Sequence, residues 1–241
     1  MSRPRILLVP TLTEIEWPIK PQLDEWAEVV SFDMPGVGKE PPVQKPSLET
    51  LKERTLDELQ ELGWDRFVIV ADEWGGFTAT RVAAARSKQV AGFAFGHACL
   101  SFRQDGDRPP VNAEVVAAFR GLADKDYRAY ARALTQITQH AYDDETAERY
   151  MELVPQEQTL FYMPRLTEAS TAESSEPFLR ELDCPLLFAK HEGCLAWTDE
   201  GWEDAIAAFP EATTVSMTLK PSVSPDFAVA LREFCEGLDW G

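Results

Sequence analysis

Histidine and paired cysteine are scarce in this sequence. Its 241 residues include 3 histidines, and its 4 cysteines form no Cys-x-x-Cys pair. The histidines, His97, His140 and His191, are too scattered for a local metal-binding motif. The sequence therefore predicts no metal site and no cofactor, and it favours structural, reduced thiols in a reducing compartment.

Long apolar runs and basic residues are also lacking. No apolar run approaches the roughly 18 residues of a membrane-spanning helix, and the short apolar stretch near the N-terminus ends at Pro10. Lysine and arginine number 23 against 41 acidic residues, and the resulting net charge of −18 would repel nucleic acid and anionic membranes. We therefore expect a cytoplasmic protein whose partner is a small-molecule substrate or ligand, and its oligomeric state stays open.

The sequence does contain short runs rich in Val, Ile and Leu that alternate with helical patterns. Such runs are typical of strands buried on both faces, as in a parallel sheet, so the alternation predicts an α/β fold. Strands are predicted at 5–10, 29–35, 67–71, 90–100, 184–189 and 213–219. Helices are predicted at 47–63, 76–89, 199–209 and 224–238.

The alternation is interrupted in the middle of the chain. A polar stretch at 103–110 is followed by residues 112–168, which carry helical patterns and no strand candidate. Within them, Tyr127, Tyr130 and Leu134 recur on one helical face. We therefore predict a helical lid at 103–178, inserted into a core formed by residues 1–102 and 179–241.

Four stretches, taken in order, resemble motifs of the α/β-hydrolase superfamily, and the resemblance covers nearly the whole chain. "ILLVPTL" resembles its first strand, "FDMPGVGKE" its Asp-x-x-Gly-x-Gly turn, "VIVADEWGG" its nucleophile elbow, and "CPLLFAKHEGC" the strand that precedes its catalytic acid. The resemblance implies an α/β-hydrolase fold: a mostly parallel sheet flanked by helices, with a helical lid insertion.

The residues at the positions of the family's catalytic triad depart from its pattern. Glu73 stands where the family places its serine, Cys194 where it places the acid, and the histidine position falls near Ser222. Thr11 follows Pro10 where a His-Gly pair is usual. Since a serine mechanism needs the nucleophile and its base in contact, ordinary serine esterase chemistry is not expected.

The elbow still implies a position for Glu73. A sharp strand-to-helix turn lifts its tip residue into the pocket beneath the lid, at a helix N-terminus. The resemblance places the oxyanion-type backbone donors at Leu12 and Trp74. Apolar walls would raise the pKa of Glu73, whereas these donors would lower it. A Glu73 side chain that merely caps its own helix is the structural alternative.

Other candidate residues each have a structural alternative. His97 ends a strand at the sheet edge where ligands bind, and it could form an acid–base pair with Glu73 or simply pack. Lys220 could be a cation partner of Glu73 or lie in solvent, and Cys194 could be a nucleophile or an inert thiol. The pocket candidates are Thr11, His191, Cys194, Lys220, Ser222, Phe161 and Tyr162.

Three functions follow from these expectations. The first is a cofactor-independent enzyme in which Glu73, assisted by His97, carries out acid–base chemistry on a small, mostly apolar substrate, as a lyase or isomerase of bacterial specialised metabolism. The second is a pseudo-hydrolase that binds a ligand or a partner without turnover. The third is a hydrolase that uses Glu73 or Cys194.

Overall fold

A six-stranded, wholly parallel sheet forms the centre of the computed structural model, which describes residues 3–9, 17–103, 107, 109–139 and 143–240. The strand order is β2-β1-β3-β4-β5-β6. The strands are β1 (Arg5–Val9), β2 (Glu28–Ser31), β3 (Phe67–Asp72), β4 (Val90–Gly96), β5 (Leu186–His191) and β6 (Thr213–Met217). The helices are α1 (Lys20–Asp24), α2 (Leu48–Leu62), α3 (Gly75–Ala85), α4 (Ala113–Lys125), α5 (Tyr127–Gln139), α6 (Asp144–Leu153), α7 (Gln156–Ala172), α8 (Glu176–Leu179), α9 (Asp199–Ala208) and α10 (Pro225–Glu236).

The central strands are apolar throughout because helices cover both faces of the sheet. Every residue of β3 and β4 is buried. Side chains alternate between the two faces, so that Ile69 packs into the core cluster on one face and Val68 into the cluster on the other. This two-sided burial confirms the predicted parallel sheet flanked by helices.

Local capping signals set the limits of α2. The Ser47 hydroxyl accepts a hydrogen bond from the Thr50 N–H, and Gly63 ends the helix in the left-handed region with φ 61°. Both residues are the predicted start and stop. No helix in the described part of the chain is long and apolar enough to cross a membrane.

Three predicted strands end earlier in the structure, among them β6, which ends at Met217 instead of 219, and the short helices α1 and α8 were not predicted. β2 ends at Ser31 instead of 35, and β4 ends at Gly96 instead of 100 because His97 adopts a left-handed φ of 45° that stops the extended backbone. Helix α1 has only five residues, too few for a helical periodicity to be visible.

Helices α4 to α7 lie between β4 and β5 in the chain and contain all the regular structure described between Ala113 and Ala172. Their apolar side chains share one buried cluster with Phe77 of α3 and with Phe102 and Trp197. The helical composition predicted for 112–168 is therefore present.

Glycine at the start of α3 permits close packing against the sheet. A Cβ on Gly76 would lie 1.9 Å from Cζ of Phe95, whereas a Cβ on Gly121 within α4 would meet nothing within 4 Å. We expect Gly76→Ala to destabilise the protein by about 3 kcal/mol, since the buried Phe95 ring must move. Gly121→Ala, the matched control, should stabilise it by up to about 1 kcal/mol. Denaturant unfolding of both variants checks this, and equal stabilities would contradict the close packing.

Candidate functional site

Glu73 occupies the sharp turn between β3 and α3. Its φ of 45° is left-handed, and its backbone N–H donates to the Gly96 carbonyl oxygen at 3.0 Å, which ties the turn to the end of β4. The next turn begins at once, because the Gly76 N–H donates to the Glu73 carbonyl oxygen at 3.0 Å. The backbone therefore leaves the direction of β3 at Glu73 and enters α3 directly.

A second residue with a left-handed backbone directly follows the neighbouring strand. His97 follows Gly96 at the carboxyl end of β4 and also has φ 45°. Among the described residues, Glu73 and His97 are the only ones other than glycine with a positive φ. Such backbone strain costs about 1–3 kcal/mol per residue and is concentrated at functional sites, so both positions are candidates on geometric grounds.

Lys220 forms an ion pair with Glu73. Its Nζ lies 3.1 Å from Oε2 of Glu73, and its side chain is fully buried while that of Glu73 is 14% exposed. Lys220 precedes a short 3-10 turn, Pro221–Val223, between β6 and α10. Of the two interpretations that the sequence allowed for this lysine, the structure shows the cation partner and not the solvated side chain.

The charges around Glu73 keep its carboxylate ionised. Burial alone would raise the pKa of Glu73, but the positive charge of Lys220 and its hydrogen bond, together with His97 and His191, outweigh burial and hold the pKa below its ordinary value of 4.5. At neutral pH Glu73 is therefore a carboxylate, which can accept a proton but cannot donate one.

His97 is a buried, neutral imidazole beside this carboxylate. Burial lowers its pKa to about 4 against the opposing attraction of Glu73. Its ring lies 5.8 Å from the Trp197 ring and 6.3 Å from the His191 ring. Neither ring nitrogen has a hydrogen-bond partner among the described residues.

Glu73 opens onto an apolar pocket of about 660 Å³, a volume that includes the space at its mouth. One wall follows the strand ends, and the other comes from helices α4, α5 and α7. The pocket is lined by Glu73, Trp74, Phe102, Val115, Val116, Phe119, Tyr130, Leu134, Ile137, Met163, Cys194, Ala196 and Trp197. Glu73 is the only charged side chain among these residues.

The remaining residues predicted for the pocket lie at different places in the structure. Cys194 lines the pocket, and burial raises the pKa of its thiol to about 12. His191 is the last residue of β5 and is buried. Ser222 is buried in the 3-10 turn, where its carbonyl oxygen accepts from the Ile19 N–H at 3.2 Å. Leu12 and Thr11 lie outside the described residues.

Phe161 and Tyr162 do not line the pocket, contrary to the suggestion from the sequence. The Phe161 ring lies under the Arg165 guanidinium, 4.0 Å away. The Tyr162 hydroxyl accepts a hydrogen bond from the Val43 N–H at 3.0 Å. Their neighbour on α7, Met163, faces the pocket instead, because consecutive helical residues point in different directions.

One carboxylate was not among the predicted site residues. Asp72 ends β3 immediately before Glu73 and is fully buried. A Cβ on Gly96 would lie 2.9 Å from its Oδ1, so its carboxyl group lies between the ends of β3 and β4. A charged residue that closes an otherwise apolar strand run was the available signal.

The neutral state of buried His97 has a consequence for stability. Its folded pKa of about 4 lies below the ordinary 6.5, so between these values the unfolded chain binds a proton that the folded chain does not. Stability from this source is full above pH 6.5 and is lost as pH falls toward 4, by about 3 kcal/mol in total.

The matched variant is His97→Asn, because asparagine tolerates the left-handed φ and does not titrate. With divalent metals chelated, unfolding free energies measured from neutral to acid pH should fall more steeply for wild type than for His97→Asn. Equal slopes would contradict a neutral, buried His97.

Comparisons with known proteins bear on the fold. A family model described as the alpha/beta hydrolase fold matches residues 4–104. An esterase, RhEst1, from Rhodococcus sp. ECU1013 is 17% identical with a TM-score of 0.76, covering 99% of this chain and 92% of that one. The enol-lactonase from Burkholderia xenovorans LB400 is 17% identical with a TM-score of 0.72, covering 98% and 92%.

A third solved structure, a bromoperoxidase from Bacillus anthracis, is 14% identical with a TM-score of 0.76 and covers 98% of this chain and 92% of that one. The search of curated proteins finds no match. Identities this low establish a shared fold and leave the chemistry to be argued from the residues of this chain.

Proposed function

The chain has the fold of the α/β-hydrolase superfamily, and on that premise we propose that it is an enzyme in which Glu73 removes a proton from a small, mostly apolar substrate. The observation that carries the proposal is a carboxylate held ionised by a buried lysine in a pocket whose other lining side chains are uncharged. The reaction class is an elimination, isomerisation or cyclisation that needs no cofactor for its proton transfer.

The pocket offsets the lowered basicity of Glu73 by holding the substrate next to its carboxylate. Apolar walls contributed by Phe102, Val116 and Trp197 exclude water from the bound substrate. Lys220 keeps the carboxylate ionised but is not among the lining residues. Its ammonium group therefore does not occupy the space that a substrate would fill. A fixed base beside a bound carbon acid supplies proximity and proton transfer together.

The site can accept both the proton that leaves the substrate and the negative charge that develops on the substrate. Glu73 becomes a carboxylic acid and then returns the proton to another atom of the substrate or to a leaving group. The Trp74 N–H lies at the N-terminus of α3, where it can stabilise an oxyanion that develops on the substrate. His97, whose pKa responds to the charge of Glu73, is proposed to assist once a bound substrate links the two side chains.

The residues argue against hydrolysis by a protein nucleophile. The turn that resembles the family's nucleophile elbow has Glu73 at its tip in place of serine. Cys194, the other nucleophile in the pocket, has a pKa raised to about 12 by burial, so its thiol is protonated at neutral pH. The thiolate is the reactive form, and cysteine hydrolysis is therefore disfavoured.

Helices α4 to α7 serve as the lid in this proposal. They contribute Val115, Val116, Tyr130 and Met163 to the pocket wall opposite the strand ends. A substrate must pass between this wall and the sheet edge, so the segment 103–178 controls access.

One observation favours a second function, a pseudo-hydrolase that binds a ligand without turnover. The ion pair with Lys220 satisfies the charge of Glu73 within the protein, as a structural replacement for a lost triad would. In that case the pocket would bind apolar ligands equally well with or without the carboxylate.

A generic carbon acid tests the proposal before the substrate is identified. A nitrobenzisoxazole loses its ring C–H proton to a base, its N–O bond breaks, and a coloured cyanophenolate forms, so absorbance follows the proton transfer alone. Wild type should promote this opening far better than Glu73→Gln while both bind the probe. Equal rates with equal binding would support the pseudo-hydrolase and refute the enzyme.

A further inference from the structure

We propose that His97, His191 and Cys194 form a binding site for a divalent metal ion of the zinc class. Each residue offers one donor atom, and the three donors all lie within 4.8 Å of one another. This proposal concerns a second feature of the pocket wall and does not depend on the proton transfer proposed for Glu73.

The sheet assembles this cluster from distant parts of the sequence. His97 directly follows the last residue of β4, and His191 is the last residue of β5. The two strands are parallel neighbours, with Gly96 paired to Ala189, so their carboxyl ends meet at one edge. Cys194 follows in the next turn. The spacing in sequence gave no metal motif because the donors come together only through strand pairing.

The donor set suits zinc. Two imidazole nitrogens and one thiolate are borderline-soft ligands, and bond lengths of about 2.0–2.1 Å to nitrogen and 2.3 Å to sulfur place tetrahedral donors roughly 3.3–3.6 Å apart. Since all three donors already lie within 4.8 Å of one another, the widest pair has to close by no more than about 1.5 Å on binding. Gly193, with φ 73° and nothing within 4 Å of a would-be Cβ, gives the Cys194 turn room for that movement.

The state of His97 supports a ligand at this place. Its side chain is only 3% exposed, and neither ring nitrogen has a hydrogen-bond partner in the described part of the chain. Buried polar atoms in native proteins nearly always have a protein, water or ion partner. A metal bound to one of these nitrogens would satisfy it.

Three protein donors leave one tetrahedral position open, as in catalytic zinc sites. Cys194 also lines the pocket, so the proposed site borders the space where a substrate would lie. The nearby carboxylate of Glu73 offsets part of the cation's charge, whereas Lys220 and Lys190 oppose it. Binding releases the Cys194 proton, which makes the ligand a thiolate.

Cobalt(II) provides a readout that does not involve activity. Added alone to the purified protein, it should bind one to one and give a thiolate-to-cobalt charge-transfer band with intense visible bands typical of tetrahedral coordination. Zinc(II) should abolish these bands by displacement. Cys194→Ser should remove the charge-transfer band and weaken binding at least about tenfold.

Cys184→Ser is the matched control, because Cys184 precedes β5 at the opposite end of that strand. It should retain the full cobalt spectrum. Glu73→Gln should keep the thiolate-to-cobalt band at saturating cobalt but bind more weakly, because it loses a charge that favours the cation without losing a ligand. His97→Asn, chosen for its left-handed φ, should weaken binding as Cys194→Ser does. A cobalt spectrum that is absent from wild type, or that survives in Cys194→Ser, would overturn the proposal.

Discussion

Replacing Glu73 with glutamine is expected to slow the opening of a nitrobenzisoxazole by about 10²–10⁴-fold, the contribution typical of a positioned general base. Glutamine keeps the size of the side chain and has no basic oxygen of comparable strength. The loss should appear in kcat more than in KM, because the apolar walls that bind the probe are unchanged.

A surface glutamate controls for the change of charge. Glu61 is exposed near the end of α2 and is not among the residues that line the pocket. Glu61→Gln should turn over the probe at the wild-type rate. If both variants lost the same small fraction of activity, or if neither lost any, Glu73 would not be the base.

Replacing Lys220 with methionine is expected to lower the free energy of unfolding by about 3–5 kcal/mol at neutral pH. The substitution removes one partner of a buried ion pair and leaves the carboxylate of Glu73 in an apolar setting without its cation. The pKa of Glu73 should then rise, since burial is the largest single influence on it and Lys220 is the largest opposing one.

Two further variants make this result specific. Lys190 pairs with Asp199 at 2.7 Å, but Asp199 is 74% exposed, so Lys190→Met should cost no more than about 1 kcal/mol. The double variant Lys220→Met/Glu73→Gln should recover much of the loss, because it removes the second charge as well. Equal losses for Lys220→Met and Lys190→Met would contradict the buried pair.

The stability of the Glu73→Gln variant also depends on the buried lysine. That variant leaves Lys220 without the charge of Glu73, so some loss of stability is expected whether Glu73 is a catalyst or a structural element. Stability alone therefore cannot distinguish the two functions, and the rate of proton transfer is the discriminating quantity.

The sequence predicted those parts of the molecule that local interactions specify. The run Phe67–Asp72, the turn at Glu73 and the helix from Gly75 are consecutive, so apolar pattern and glycine placement suffice to identify them. The same holds for Ser47 and Gly63 at the two ends of α2, where each signal acts within one helical turn.

Local sequence patterns do not predict contacts between segments that are distant in the chain. The pairing of Lys220 with Glu73 joins residues 147 positions apart in the sequence, and the sequence left it as one of two alternatives. The cluster of His97, His191 and Cys194 depends on the pairing of β4 with β5. Phe161 was assigned to the pocket by residue type, whereas the rotation of α7 places Met163 there.

The pH dependence of probe turnover tests the central claim most directly. An ionised Glu73 acting as base predicts that kcat rises with pH below 4.5 and then stays level through neutral pH, and that Glu73→Gln loses this rise in His97→Asn protein, where His97 cannot titrate. Lys220→Met should move the rise to higher pH. A wild-type rise near neutral pH, or one that persists unchanged when Glu73→Gln is added to His97→Asn protein, would contradict the assignment of Glu73 as the ionised base.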